Sequence, residues 1–419
     1  MRAARLSRLI ALIAAGSLAG PGAAAAHFGI IYSFPGGRDG SFPHAGVISD
    51  EAGNLYGTTY DGGEKCSPFG CGTVFRIAPD GTETLLHTFA GGRDGASPWD
   101  RMIRDKAGNL YGTTISGGKA GCSGSGGCGT VFRIGPDGSE TVLHAFAGGR
   151  DGQFPYAGLA RDAKGNLYGT TEFGGTGYYG CTEGFGSGTI FKITPGGKEE
   201  VLHAFTGSPD GCLPYSQLIM DSAGNLYGTT AYGGSSDCPP LSCGTVFKLA
   251  PDGTETVLYS FGDAPDGEIP ESRLTLDSDG NLYGTTVYGG AAGAGAVFMV
   301  AADGTEKVLY SFCAKANCAD GAFPYAGVHK DWKGDLYGTT GYGGNTSCAD
   351  GNGCGLVFSL APDGAETIIH AFRGGSDGNF PVGDLIKDTV GHLYGTAGAG
   401  GLDCAEQFGR CGNVFRVDR

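Results

Sequence analysis

One seven-residue phrase governs what this chain can fold into. Residues 53–59 read GNLYGTT. The phrase returns at 108–114, 165–171, 224–230 and 280–286, then as GDLYGTT at 334–340 and GHLYGTA at 391–397. Successive LYG cores lie 55, 57, 59, 56, 54 and 57 residues apart. A period of that size suits the blades of a propeller and is too long for the coils of a β-helix. Each unit holds four strand-like phrases. In the first unit they are residues 45–50 (AGVISD), 54–59 (NLYGTT), 72–77 (GTVFRI) and 83–89 (ETLLHTF), termed strands a, b, c and d. All are rich in β-branched, aromatic or leucine residues. The turn from a to b reads D-x-x-G and the turn from c to d reads P-D-G in four units, where glycine supplies the positive φ of a tight hairpin and aspartate bonds its own turn. The 83 glycines thus fall in register with the strands and mark turns rather than disorder.

The ends of the repeat array imply closure. The last phrase, at 412–417, is a strand c with no d after it, and residues 29–34 are an orphan strand d. The first strand can complete the last blade and leave no unpaired edge. The expected fold is all-β: a seven-bladed β-propeller of four-stranded blades in one domain, 27–419, its ring closed by the N-terminal strand. Residues 1–26 read as a secretory leader. Arg2, Arg5 and Arg8 precede a short apolar run, and Ala24-Ala25-Ala26 supplies a cleavage site. Removing that leader moves the formal charge from −15 to −18. An acidic chain excludes nucleic acid as the expected partner, and no later stretch is apolar enough to predict a membrane span. The expected state is a monomer, exported to the periplasm or beyond the cell.

Fourteen cysteines fit that export. Close spacing pairs Cys66 with Cys71, Cys122 with Cys128, Cys238 with Cys243, Cys313 with Cys318, Cys348 with Cys354 and Cys404 with Cys411, leaving Cys181 for Cys212. Zinc is the weaker reading, since C-x2-C spacing and nearby histidines are missing. Nearly all these cysteines fall on the long, variable d–a and b–c connections, which share one face of a meander. Function is expected on that face.

Repeated residues read mainly as frame. Every d–a connection carries D-G-x-x-P, with Asp39, Asp94, Asp151, Asp210, Asp266, Asp320 and Asp377. One acid per turn is a turn cap rather than an oxygen cage, so no cofactor is expected, with structural calcium as the alternative. The aspartate closing strand a reads as a turn residue. The LYG tyrosine reads as packing between blades with its hydroxyl bonded to a neighbour. A position in strand d alternates between His (His87, His144, His203, His370) and Tyr (Tyr32, Tyr259, Tyr310), which suggests a partly exposed aromatic slot.

Two positions break the repeat on the long-loop face. The residue after the D-G-x-x-P proline is His44, Trp99, Tyr156, Tyr215, Glu271, Tyr325 or Val382. Near the start of the b–c loop stand Asp61, Ser116, Phe173, Tyr232, Tyr288, Tyr342 and Ala399, and the third b–c loop adds Tyr178, Tyr179 and Phe185. Such rings can stack on sugar or peptide, or simply pack blade on blade. Asp100, Glu172, Glu183, Glu271 and Asp384 also break the repeat there and are the candidates for a catalytic acid pair. No G-x-S-x-G elbow or H-E-x-x-H motif occurs.

The combination GNLYGTT…GG…CGTVF…PDGTET(V/L)LH(T/A)F…DGxxP resembles the GloVer tandem-repeat proteins of bacteria over about residues 29–419. The resemblance implies export and a repeat fold. It transfers no catalytic residue, since no activity is established for the family. The expected function is non-catalytic binding of a glycan or extracellular protein on the disulfide-pinned face. The alternatives are a carbohydrate-active lyase or hydrolase at the channel mouth and a structural component of the cell envelope or matrix.

Overall fold

The computed structural model describes residues 27–66, 69–122, 126–175, 181, 185–234, 243–346, 348, 351–402 and 411–418. The expected leader at 1–26, Tyr178, Tyr179, Glu183, Cys238 and Cys404 lie outside them. The described strands form seven four-stranded antiparallel sheets, the blades of a β-propeller, with no α-helix among the described residues. The ring closes as the repeat requires. His27–Ser33 pairs with Asn413–Asp418, which pairs with Leu393–Ala397 and through it with Ile386–Lys387.

Each letter of LYGTT has a separate physical task. The leucine is buried between blades: Leu55 packs with Phe75 and Ile77 of its own blade and with Phe34 and Val414 of the seventh. The tyrosine hydroxyl reaches back to the turn, Tyr56 donating to Asp50 Oδ2 at 2.9 Å. Asp50 also accepts the backbone N–H groups of Ala52 and Asn54 and the Asn54 amide, so it is a saturated turn acid. The glycine lies beneath a phenylalanine of strand c. A Cβ on Gly57 would fall 2.4 Å from Phe75 Cζ, and the same crowding recurs at Gly169 with Phe191 (2.5 Å). The first threonine crosses to the next blade, Thr113 Oγ1 donating to Ala157 O and Thr396 Oγ1 to Ala45 O, and the second bonds within its own blade, Thr59 to Thr73.

That phenylalanine in turn meets the next ring. The Phe ending strand d packs on the strand-c Phe of the following blade at centroid distances of 4.9 Å (Phe34–Phe75), 5.1 Å (Phe89–Phe132) and 5.3 Å (Phe372–Phe415). Each ring pair adds about 0.5–1.5 kcal/mol beyond its buried area. The hydrophobic clusters straddle blades in the same way; one joins Val74 and Phe89 to Met102, Leu110 and Phe132.

Strand a departs from expectation. Of AGVISD only Ile48–Ser49 pairs with strand b. The upper residues converge near the axis, where their carbonyls serve neighbouring blades instead, as Ala45 and Ala157 do for Thr396 and Thr113. The alternating His/Tyr slot also has a more specific role than a half-exposed aromatic position. In six of the seven units its side chain bonds the D-G-x-x-P aspartate, as in His87 Nε2 to Asp94 at 3.1 Å, Tyr259 to Asp266 at 2.8 Å and Tyr310 to Asp320 at 2.9 Å. Either residue satisfies the slot because each can donate to a carboxylate.

Five disulfides join Cys66–Cys71, Cys122–Cys128, Cys181–Cys212, Cys313–Cys318 and Cys348–Cys354. Cys243 and Cys411 are also disulfide-bonded, and the partners expected for them, Cys238 and Cys404, lie outside the described residues. Several bridges in one chain fit an oxidising, exported setting, and no helix among the described residues is long and apolar enough to cross a membrane.

The blade contacts predict a contrast between two glycines with positive φ. At Gly188 a Cβ would lie 2.5 Å from Pro214 Cδ of the next blade, whereas at Gly149 nothing stands within 4 Å. Urea unfolding should show Gly188→Ala losing about 2–4 kcal/mol and Gly149→Ala about 1 kcal/mol. Equal losses would remove the blade contact as the cause.

Candidate functional site

The long-loop face is built up from the entry of strand c. There Cys71, Cys128, Cys243, Cys354 and Cys411, with Ser187 and Ala294 in the other two blades, offer their carbonyls to the next blade. The acceptors meet the N–H of the residue before each D-G-x-x-P proline, as in Ser97 N to Cys71 O (2.7 Å), Phe154 N to Cys128 O (2.9 Å) and Phe42 N to Cys411 O (3.0 Å). All seven of those pre-proline residues, Phe42, Ser97, Phe154, Leu213, Ile269, Phe323 and Phe380, hold φ between 54° and 59°. Bulky side chains rarely adopt that left-handed conformation, which costs about 1–3 kcal/mol each and persists only where surroundings enforce it. Here the enforcement is a hydrogen bond on each side: Phe42 O also accepts from Tyr60 N, and Phe154 O from Glu172 N. The bend aims the residue after the proline at the axis.

The result is a cavity of about 530 Å3 at the channel mouth, within the usual range for small-molecule sites. Its wall carries His44, Trp99, Tyr156, Tyr215, Glu271, Tyr325 and Val382, one from each blade. Four of them form a continuous arc: His44 on Trp99 at 3.8 Å, Trp99 edge-on to Tyr156 at 5.6 Å, and Tyr156 edge-on to Tyr215 at 5.5 Å. The rings therefore pack blade on blade and line the cavity at once, so the two readings of these positions describe one arrangement. Phe42 and Phe380, from the strained pre-proline position, complete the apolar wall.

The second predicted set stands elsewhere. Phe173, Tyr232, Tyr288 and Tyr342 are not part of the cavity wall. Each sits in a two-residue bridge between its own b–c and d–a loops, opposite Gln153, Cys212, Glu268 and Ala322 respectively. Phe173 packs on Phe154 and Phe185, Tyr288 on Phe323, and Tyr342 on Phe323 and Phe380, so they back the pre-proline residues. Tyr178, Tyr179 and Glu183 fall outside the described residues.

Three of the other repeat-breaking acids converge on the cavity, and the fourth, Glu172, bonds the wall residue Tyr215. Asp100 and Asp384 reach the cavity floor with Gln217 and Arg273, and Glu271 stands in the wall. Asp100 accepts the N–H groups of Arg101 (2.6 Å) and Gly158 (2.7 Å), and burial, reinforced by the charge of Asp384, pushes it up to about 6. Asp384 accepts Gly327 N at 2.8 Å. Glu172 accepts the Tyr215 hydroxyl at 2.5 Å and is pushed up to about 7 by burial, the hydrogen bond opposing the shift. Glu271 is pushed up to about 7, first by burial and then by Glu172. Burial lowers His44 to about 4, so its imidazole is neutral at neutral pH. Sequence reasoning missed Gln217 and Arg273. Their signal lies three residues after each proline, where the units read Gly46, Arg101, Gly158, Gln217, Arg273, Gly327 and Asp384.

Away from the axis, His144, Asp151 and Glu199, and likewise His203, Asp210 and Glu255, bring three ligand atoms within 4.8 Å of one another at blade edges. The aspartates in both trios are already filled by the histidine and by backbone N–H groups.

A family model described as the Gloeobacter/Verrucomicrobia repeat matches residues 22–239 and 178–408. No curated protein matches the sequence. Among solved structures, the chain is similar to XC5397 from Xanthomonas campestris, a gluconolactonase, at 18% identity and TM-score 0.39, covering 69% of this chain and 78% of that one. It is similar to a second, putative gluconolactonase at 16% identity and TM-score 0.38, covering 69% and 80%. A luciferin-regenerating enzyme matches at 13% identity and TM-score 0.41 over 91% and 92%. Likenesses this distant carry no argument about function.

The raised acids set a pH dependence. Unfolding drops Glu172 and Glu271 from about 7 to the ordinary glutamate value of 4.5, so the unfolded chain releases protons that the folded chain keeps. Stability from these two groups is full below pH 4.5 and declines as pH rises through 7. Glu172→Gln and Glu271→Gln should each reduce the fall in unfolding free energy between about pH 5 and about pH 8 by about 1–3 kcal/mol. Urea titrations at the two pH values read this directly, and an unchanged fall in both variants would contradict it.

Proposed function

This chain belongs to the Gloeobacter/Verrucomicrobia repeat family, and we propose that it is an exported propeller that binds a glycan in its axial cavity without chemically altering it. The observation that carries the reading is the arc of His44, Trp99, Tyr156 and Tyr215 around one side of a cavity that also presents carboxylates and Gln217. Sugars offer apolar C–H faces and a rim of hydroxyls. Aromatic walls with a few fixed polar groups complement both. The disulfides support work outside the cytoplasm, in the periplasm or extracellular space.

Catalysis in the same cavity is the second reading. It is favoured by Glu271 in the cavity wall and Glu172 bonded to the wall residue Tyr215, two neighbouring acids pushed up to about 7, as a general acid for glycosidic cleavage requires.

A glycan array followed by calorimetry on the purified chain tests the first reading. Trp99→Ala with Tyr156→Ala should weaken any sugar found by about tenfold or more. Unchanged affinity, or no sugar bound at all, would sink it. Release of new reducing ends from a bound glycan, lost in Glu172→Gln, would establish the second reading in its place.

A further inference from the structure

The cavity's charges are unequal in their partners. Asp100 and Asp384 stand in the field of Arg273, and Arg101 lies beside Asp100. These two acids and two guanidinium groups balance. Glu172 is capped by the Tyr215 hydroxyl. Glu271 has no such relief. It takes the place in the ring that an aromatic side chain holds in the preceding and following blades, Tyr215 and Tyr325, and its charge acts on both of those tyrosines and on Tyr232. Among the described residues no donor bonds its carboxylate, although it is largely withdrawn from solvent and lines the cavity. A carboxylate withdrawn from water without a donor is costly.

We propose that the ligand carries a free ammonium group which Glu271 receives between Tyr215 and Tyr325, and that the glycan is one containing an unacylated amino sugar. This rests on the glycan reading above and names the substrate class of that same cavity. A cation answers both features at once. It pairs with the carboxylate, and it is attracted to the faces of the flanking rings, an arrangement used in cages for ammonium ligands. Burial and the neighbouring Glu172 charge hold Glu271 up at about 7, and a bound cation opposes both effects. The acidic chain, with a formal charge of −15, also attracts a cationic ligand over distance. Arg273 does not cancel this site, because its own field is met by Asp100 and Asp384.

Calorimetry with the glucosamine disaccharide and with its N,N′-diacetylated form tests the proposal on the unaltered protein. The two probes share a ring framework and differ in charge. The amine form should bind about tenfold tighter or more, and Glu271→Gln should abolish that preference while leaving the acetylated form unaffected. Equal binding, or preference for the acetylated form, overturns the ammonium proposal and leaves the glycan reading intact, provided that Trp99→Ala still weakens both sugars. If neither sugar binds but the array finds another glycan, the ammonium proposal fails and the glycan reading stands; if no glycan binds at all, the glycan reading fails. Tetramethylammonium then decides the cation site: binding that is lost in Glu271→Gln upholds it, and no binding overturns it.

Discussion

The structure depends on one contact repeated between neighbouring blades, the seat of a proline over a glycine. The glycine opening strand c has positive φ, and a Cβ there would fall 2.6 Å from Cδ of the next blade's proline at Gly72 and Pro98, or 2.4 Å at Gly412 and Pro43. The proline lacks an N–H, so its burial strands no donor. The residue before it does have one, and spends it on the carbonyl beside the glycine. Blade spacing, the left-handed bend and the direction of the following side chain are set together. The last instance, between Gly412 and Pro43, joins the two ends of the chain and closes the ring.

From this contact the cavity follows. Seven bends aim seven side chains at the axis, and those side chains and the residues just after them vary in chemistry from blade to blade. The symmetric acids are occupied elsewhere. Asp50 and its equivalents hold turns, and Asp94 and five of its equivalents bond the His or Tyr of strand d. A ring of identical carboxylates is thus turned away from the axis, which leaves the axial charges to a few blade-specific residues. The disulfides lie against the same bends: a Cβ on Gly91 would lie 3.0 Å from Cys66 Sγ, and one on Gly374 would also press on its bridge. They stiffen loops with little apolar surface to bury.

Much of the frame was legible in the sequence because it rests on local chemistry and period. Strand phrases, hairpin turns and the complementary ends specified seven blades and their closure, and close spacing specified the described short bridges. The first ring position was legible as well, since it is the place where otherwise identical units disagree. The second ring position was legible only as an aromatic pattern, because Phe173 and Tyr342 stand one loop farther from the axis and spend their surface on Phe154 and Phe380. The link between the strand-d His/Tyr and the D-G-x-x-P aspartate was also hidden. Both were visible motifs, but only the fold of the connection brings them into hydrogen-bonding distance.

The amino-acid sequence by itself determined the blade count, the strand order and the face that varies, since each follows from periodicity and turn chemistry within one unit. Only the tertiary structure decided what the varying residues make. Arg101, Asp100, Arg273 and Asp384 come from three different blades, and nothing in their local spacing says that they meet. Convergence at an axis is a property of the closed ring, and so is the burial that lifts Glu172 and Glu271 toward neutral pH. Charge and burial act through space rather than along the chain, which is why the frame could be read in a line and the cavity could not.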